Sequence, residues 1–195
     1  MNSIQSPNGT RAVDGYFAQA SLPVRISEDD ASRIFTAPLE DELARLGLGR
    51  VVCHSLVQNA QDEPEGVIIQ LSLIADTVRV LEAVAGVLDT LGAPVGSTLG
   101  HAECPDLVHF GRTRGLGLYL EANGSVAHPM KRAKEVARAC RKALDGAELF
   151  QGSFSTSDRA ALYFYGDSLA RMQSAITYVM STNPGCRNAF ARKLN

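Results

Sequence analysis

Residues 160–180, AALYFYGDSLARMQSAITYVM, have the pattern of one strand, one turn and one helix. The uncharged aromatic and aliphatic run over 161–165 is typical of a strand buried in a sheet. Gly166 interrupts the run, and the carboxylate of Asp167 can cap the free N–H groups at the start of a helix. The apolar side chains that follow recur at helical spacing and predict an amphipathic helix; they are Leu169, Met172, Ile176, Val179 and Met180.

The same plan occurs 91 residues earlier without a gap. Leu71 matches Leu162, and Asp76 matches Asp167. The apolar positions of the two predicted helices also align, as Val78, Leu81, Ala85 and Leu88 with Leu169, Met172, Ile176 and Val179. The repeat predicts that one architectural unit is used twice.

The predicted elements follow the order strand, helix, strand, strand, helix, strand, and the order then recurs. The expected strands cover 24–26, 50–58, 67–74, 95–99, 116–121, 148–155, 160–165 and 188–193, with 107–110 as an extra strand in a hairpin with 116–121. The expected helices cover 38–46, which begins where Pro38 breaks an earlier helical pattern, 76–91, 129–144 and 167–181. In this order the chain resembles tandem ferredoxin-like (βαββαβ) proteins. The resemblance implies an α+β fold with two antiparallel sheets and helices packed on them.

Four segments follow from this plan: an N-terminal tail over 1–21, a first unit over 22–100, a linker with the extra strand over 101–114, and a second unit over 115–195. A small unit of roughly 60–80 residues buries a modest fraction of its surface, so two packed units are expected to be more stable than one.

Composition limits the classes of partner. The net charge is −2, with 19 basic and 21 acidic residues, so the chain lacks the basic field that nucleic-acid binding needs. The N-terminus has no secretory pattern, and no apolar run approaches the ~20 residues of a membrane span. We therefore expect a cytoplasmic protein that binds neither nucleic acid nor membrane.

The sequence contains no catalytic or cofactor motif that we recognise. Cys53, His101 and Cys104 are the best candidates for metal ligands, but Cys53 and His54 are strand neighbours that point to opposite faces. The pair Gly115-Leu-Gly117 lacks the third glycine of a dinucleotide fingerprint and predicts a turn that enters a strand. We therefore expect no metal, no cofactor and, on balance, no enzymatic activity.

Two groups of residues are candidates for binding a partner. Asp62, Glu63 and Glu65 form an acidic loop that could meet a basic surface. The aromatic residues Tyr119, Tyr163 and Tyr165 would form a contact surface if one sheet face is uncovered. The second unit carries the opposite charge on its first helix, and this difference would orient a partner or a second copy; the basic residues are Lys131, Arg132, Lys134, Arg138, Arg141 and Lys142.

The run ALYFYG at 161–166, the amphipathic helix after it and NPGCRNA at 183–189 resemble small bacterial proteins of the toxin–immunity type. The resemblance implies a non-enzymatic bacterial protein that binds another protein, a toxin, and covers its active site. A homodimer is a further alternative for the partner.

A small-molecule enzyme or a ligand-binding protein also fits the expected fold. Two ferredoxin-like units can pack sheet to sheet around a cavity, as in dimeric α+β barrels of the monooxygenase or isomerase type. Histidines and tyrosines that point into such a cavity could then act as general acids and bases, among them His54, His101, His109, Tyr119 and Tyr163. A large enclosed pocket between the units would favour this alternative.

Overall fold

The computed structural model describes residues 15–101, 107–121, 129–146, 148–156 and 159–194; residues 1–14 of the expected tail lie outside these ranges. The strands of this part of the chain are β1 (Tyr16–Leu22), β2 (Gly49–Gln58), β3 (Pro64–Leu73), β4 (Ser97–His101), β5 (Val108–Phe110), β6 (Arg114–Glu121), β7 (Phe150–Ser155), β8 (Arg159–Gly166) and β9 (Phe190–Leu194). The helices are α1 (Glu28–Ala31), α2 (Ala37–Leu46), α3 (Val78–Thr90), α4 (Pro129–Leu144) and α5 (Leu169–Thr182). Among these helices, none has both the length and the apolar content to cross a membrane.

The strands form two antiparallel sheets with the same internal order. The first sheet runs β2-β3-β1-β4-β5 and the second runs β7-β8-β6-β9. In each, the first four strands of the unit lie in the spatial order second, third, first, fourth, which is the ferredoxin-like arrangement. Leu71 and Leu162 both lie buried in the strand that comes third along the chain within its unit. The predicted fold class is therefore confirmed.

The first strand differs from the prediction. Tyr16–Leu22 forms β1 in the centre of the first sheet, so the expected tail over 1–21 ends too late and the expected strand over 24–26 does not form. Val24 and Ile26 are nevertheless fully buried. Both belong to a core cluster that also contains Ala161, Tyr163 and Tyr165 of the second unit, and a period-2 pattern cannot distinguish such burial from sheet pairing.

The extra strand also pairs differently. β5 adds to the edge of the first sheet, with Ser97 opposite Phe110, and it does not form the expected hairpin with β6. Gly111 turns the chain away with a φ of 108°, and its N–H donates to Asp89 Oδ1 at 2.7 Å. A side chain at Gly111 would meet the carbonyl oxygen of Pro94, so only glycine allows this close approach.

Two helices begin two residues later than expected, at equivalent places in the two units. Thr77 and Ser168 cap α3 and α5 by accepting from Val80 N–H and Arg171 N–H, whereas Asp76 and Asp167 precede the caps. The two caps are again 91 positions apart, so the repeat extends to the helix starts.

Pro38 does not break its helix. Residues 28–46 are helical throughout, and a wider π turn over Ser32–Thr36 joins α1 to α2. Proline clashes with the carbonyl four residues earlier in a regular α-helix, and a π turn just before it changes that register.

The core is divided by the second sheet. On β8, Leu162 and Phe164 face α4 and α5, while Ala161, Tyr163 and Tyr165 belong to the core of the first unit. Every residue over 160–166 is therefore buried. We call the face of each sheet that its own helices do not cover its open face; the open face of the second sheet is where the two units meet.

Candidate functional site

A buried polar cluster lies where the first unit crosses the open face of the second sheet. Arg25, just after β1, places Nη1 at 2.5 Å from Glu63 Oε1, and the Tyr163 hydroxyl donates to the same oxygen at 2.7 Å. The backbone N–H of Arg25 donates to the Tyr165 hydroxyl at 2.7 Å. Arg159 adds a longer contact, with Nη2 at 3.8 Å from Glu63 Oε2. A single carboxylate thus connects the β2–β3 loop to the segment after β1 and to β8 of the second sheet.

Burial determines the charge states in this cluster. It raises the pKa of Tyr163, and the hydrogen bond to Glu63 raises it further. Burial likewise raises the pKa of Tyr165. Burial opposes the charged form of Arg25, but Tyr119, Glu63 and Tyr163 outweigh it and leave the pKa raised. Tyr163 and Tyr165 therefore stay neutral and Arg25 stays charged near neutral pH, which suits a structural connection better than acid–base catalysis.

Three glycines make the close packing of this face possible. Gly115 and Gly117 lie opposite Tyr165 and Tyr163 within β6, so the expected turn at these glycines is in fact strand. A Cβ on Gly117 would come within 2.9 Å of the Tyr119 ring. On β7, a Cβ at Gly152 would lie 2.0 Å from the carbonyl oxygen of Arg25. Gly152 lets the second sheet accept the first unit at this point, whereas Gly115 and Gly117 leave room for tyrosine rings and Leu194 of their own sheet.

The acidic loop does not form one exposed patch. Asp62 is exposed with a φ of 60°, whereas Glu63 is 6% exposed and points into the cluster. Glu65 is half-exposed, with Oε1 at 3.5 Å from Arg25 Nη2. The three acids that the sequence groups together therefore lie in three different environments.

The structure does bring the three candidate tyrosines together. Tyr119, Tyr163 and Tyr165 share the open face of the second sheet, and the Tyr119 and Tyr163 ring centroids are 6.2 Å apart. Sequence reasoning missed the cations that accompany them, Arg25, Arg159 and Arg192. The alternation Val24-Arg25-Ile26, a cation between two apolar residues, is a local signal that could have indicated Arg25.

The candidate metal ligands lie apart. Cys53 is exposed on the open face of the first sheet, with Sγ at 3.4 Å from Gln70 Oε1. His101 pairs with Ala18 on the opposite face, and its Nδ1 is 2.9 Å from the carbonyl oxygen of Phe17. Cys104 lies outside the described residues. In the ranges that the structure covers, no three His, Cys, Asp or Glu side chains converge.

The histidines considered for a barrel enzyme are also separated. His54 lies opposite Ile69, on the helix-covered face of the first sheet, and His109 lies opposite Thr98 on the open face. The core that covers the open face of the second sheet contains helix-facing residues of the first sheet, such as Ile69 and Leu71. The two open faces therefore do not enclose a cavity between them.

A pocket of about 470 Å³ opens beside the buried polar cluster, and Arg25 belongs to both. Its lining residues are Pro23, Arg25, Glu65, Arg192, Lys193 and Leu194. The guanidinium carbon of Arg192 lies 5.6 Å from the centroid of the Tyr119 ring, and that of Arg25 lies 5.7 Å from the centroid of the Tyr163 ring. Two stacked cations thus lie at one pocket, next to two neighbouring tyrosines.

The open face of the first sheet has a different character. Its residues, identified from the strand register, are Phe17, Gln19, Ser21, Arg50, Cys53, Ser55, Val57, Gly66, Ile68, Gln70, Ser72, Thr98, Gly100 and His109. Arg50 is the one member of this set with a permanent charge. Phe17 is 67% exposed and Val57 is 38% exposed, so apolar groups on this face meet solvent.

Charge is segregated between the two units. Residues 22–100 contain 12 acidic and five basic side chains, whereas residues 115–195 contain 11 basic and six acidic ones. The small net charge of the whole chain therefore conceals two halves of opposite sign.

No protein-family model matches the chain, and no curated protein matches it. Among solved structures, the chain is similar to an unknown protein from Galdieria sulphuraria, with 13% identity, a TM-score of 0.29 and coverage of 92% of this chain and 97% of that chain. It is similar to RNA recognition domains 1 and 2 of Sex-lethal from Drosophila melanogaster (9% identity, TM-score 0.27, coverage of 91% and 98%). A third similarity is to the ligand-free regulatory subunit of aspartate kinase from Thermus thermophilus (14% identity, TM-score 0.26, coverage of 85% and 92%). Similarities at this level carry no argument about function, and the strand order of the two sheets is what shows the tandem ferredoxin-like fold.

Proposed function

We propose that this is a non-enzymatic protein-binding protein that engages a partner protein through the open face of its first sheet. The observation that carries the proposal is the contrast between the two open faces. The second sheet buries Tyr163 and Tyr165 of its open face against the first unit, whereas the equivalent face of the first sheet leaves Phe17 and Val57 exposed.

The composition of the exposed face supports a protein partner. Protein interfaces are depleted of charge at their centres and enriched in aromatic anchors. Here Arg50 is the one permanent charge among fourteen residues, and Phe17 supplies an aromatic side chain on the central strand β1. The partner that fits this face presents an uncharged surface with an apolar site for Phe17.

A toxin bound on this face would make the chain an immunity protein, the role that the sequence resemblance implies. The acidic loop is less suited to that role, because Glu63 is turned into the unit junction. We therefore assign the contact to the open face. The identity of the bound partner decides between a toxin and another protein.

The test is capture of a partner from the native cell, followed by identification, purification and titration of that partner against three forms of the chain. Phe17→Ser removes the exposed ring of the open face. Tyr178→Ser is the matched control, since Tyr178 on α5 is 65% exposed and lies in the other unit. We expect Phe17→Ser to weaken binding by about tenfold or more, as for an aromatic anchor, and Tyr178→Ser to leave it unchanged. Hydrogen exchange should show protection on β1, β2 and β3.

Two results would overturn the proposal. Equal affinity of the wild type and Phe17→Ser would remove the open face from the interface. A wild-type dimer in sedimentation that Phe17→Ser dissociates would show that the face binds a second copy of the chain instead.

A further inference from the structure

We propose that the pocket beside the unit junction binds a small organic anion, a carboxylate or a phosphate monoester, through Arg192 and Arg25. This site is separate from the open face of the first sheet. Its volume of about 470 Å³ lies within the range of small-molecule sites, roughly 300–1,000 Å³.

Arg192 is the principal group. It extends from the outer strand β9, stacks on the Tyr119 ring and lines the pocket. Within the described residues, no carboxylate lies within ion-pair distance of its guanidinium. A stacked guanidinium is held in a fixed orientation, and its planar donors match the two oxygens of a carboxylate or phosphate.

Arg25 is the second cation at the pocket, and its ion pair with Glu63 fixes its position. Its Nη1 is committed to Glu63 at 2.5 Å, whereas its Nη2 makes only a 3.5 Å contact with Glu65. The Nη2 side can therefore turn its donors to a ligand without breaking the buried pair. An Arg that is fixed from behind by a carboxylate loses little conformational entropy when it binds.

Tyr119 lies behind the pocket and supports Arg192. The Tyr119 hydroxyl oxygen is buried and makes no hydrogen bond within the described part of the chain. Tyr119 contacts Arg192 through its ring face and Tyr163 through its ring edge, so its hydroxyl belongs to the same junction. Tyr119 does not itself line the pocket, so its ring serves to position Arg192, and the two arginines supply the donors for the ligand.

The balance of charge sets the sign of the ligand. Two guanidinium groups line the pocket, Arg25 and Arg192, against one carboxylate, Glu65. Lys193 also belongs to the lining, but it pairs with Leu116 and therefore lies on the other face of β9. Glu65 is half-exposed and only loosely paired, so it weakens the site without filling it. The arrangement favours an anion and resists a cation.

The test is calorimetric titration of the full chain with sodium phosphate and, separately, with sodium succinate, at an ionic strength held constant with sodium chloride. Arg192→Gln should weaken binding of the better probe by about tenfold or more, the usual scale for a charged hydrogen bond. Arg79→Gln is the matched control, since Arg79 is an exposed arginine on α3 without an ion pair in the described chain. It should leave the affinity unchanged.

A second pair of variants tests whether removal of a negative charge strengthens anion binding. Glu65→Gln removes the one carboxylate of the lining and should tighten anion binding about threefold or more, while Asp62→Asn, three residues away and outside the lining, should not.

Equal affinities of the wild type and Arg192→Gln, weakening by Glu65→Gln, or no heat with either probe at 20 mM would overturn the proposal. Since Phe17 lies outside the pocket, Phe17→Ser should keep full anion binding, so this inference and the protein-binding proposal can fail separately.

Discussion

At the scale of single residues, Glu63 shows how a loop acid becomes part of a core. The Asn59 side chain accepts from Gln61 N–H at 2.9 Å and from Glu63 N–H at 3.1 Å, which folds the loop back on itself. Asp62 then takes a left-handed conformation, and the next residue points inward to Arg25. The orientation of one carboxylate thus depends on a local side-chain turn.

Glu63→Gln should lower the free energy of unfolding by about 3 kcal/mol, because it removes the close partner of a buried pair and leaves Arg25 only the 3.5 Å contact with Glu65. Urea unfolding followed by circular dichroism measures the change. Asp62→Asn is the neighbouring control and should change stability by less than about 0.5 kcal/mol, since asparagine tolerates the left-handed conformation. Equal effects of the two substitutions would contradict a structural role for Glu63.

The buried tyrosines predict a loss of stability in alkali. An unfolded tyrosine ionises near pH 10, whereas burial raises the pKa of Tyr163 and Tyr165 in the folded protein. Their contribution is therefore complete below about pH 10 and decreases above it, by about 1.4 kcal/mol per pH unit for each tyrosine. Cys140, whose pKa burial raises to about 12, adds to the same trend.

The measurement is the free energy of unfolding between pH 9 and pH 11.5. Above pH 10 the free energy of unfolding decreases with pH, and Tyr163→Phe and Tyr165→Phe should each remove the share of that decrease that one titrating group contributes. Each substitution also lowers stability at neutral pH. An unchanged slope in both variants would contradict the assigned burial of these hydroxyls.

At the scale of elements, the contact between β7 and the segment after β1 joins the two units. Gly152 lies directly against the Arg25 backbone, and Phe150 makes an edge contact with Phe35 at a centroid distance of 5.6 Å. Phe150 also stacks on Tyr165 at 4.9 Å. The strand therefore packs on the first unit through a backbone approach with aromatic contacts beside it.

Gly152→Ala should destabilise the protein by at least about 2 kcal/mol, because its Cβ would overlap the Arg25 carbonyl oxygen. Gly86→Ala is the control within α3, where a Cβ meets nothing within 4 Å. It should stabilise the protein by about 0.5–1 kcal/mol through better helix propensity. Thermal unfolding should therefore move in opposite directions for the two substitutions, and a shift in the same direction would contradict the close packing at Gly152.

At the scale of the whole molecule, the two halves carry opposite charge. Such a charge distribution attracts other copies head to tail when salt does not screen it, since the Debye length is about 30 Å at 0.01 M and about 8 Å at 0.15 M ionic strength.

Static light scattering should accordingly show attraction between molecules at about 10 mM salt and its loss at about 150 mM. Replacing Lys134, Arg138 and Arg141 on the exposed face of α4 with glutamate should abolish the attraction. Attraction that persists in 0.5 M salt would show that another force, such as contact through the open face of the first sheet, is responsible.

The sequence predicted much of the fold and less of the site. Helical spacing and the 91-residue repeat identified α3, α5 and the strands before them, because those signals are local and depend on one buried stripe. The place of β1 and the pairing of β5 were wrong, since both depend on which strand lies beside which. For the site, the tyrosines were identified from their aromatic run, while Arg25 and Arg192 come from segments 167 positions apart that only the folded chain brings to one pocket.

The amino-acid sequence by itself determined that two similar sheets with helices against them would form, because apolar periodicity, capping residues and glycine turns act within a few positions of each residue. Only the tertiary structure decided that the open face of the second sheet is buried and that of the first is exposed. The physical reason is that the run of apolar residues in β8 shows that both faces of this strand are apolar. The run does not show what covers the open face. That choice depends on long-range contacts, chiefly the Arg25–Glu63–Tyr163 cluster and the close approach of Gly152 to the Arg25 backbone.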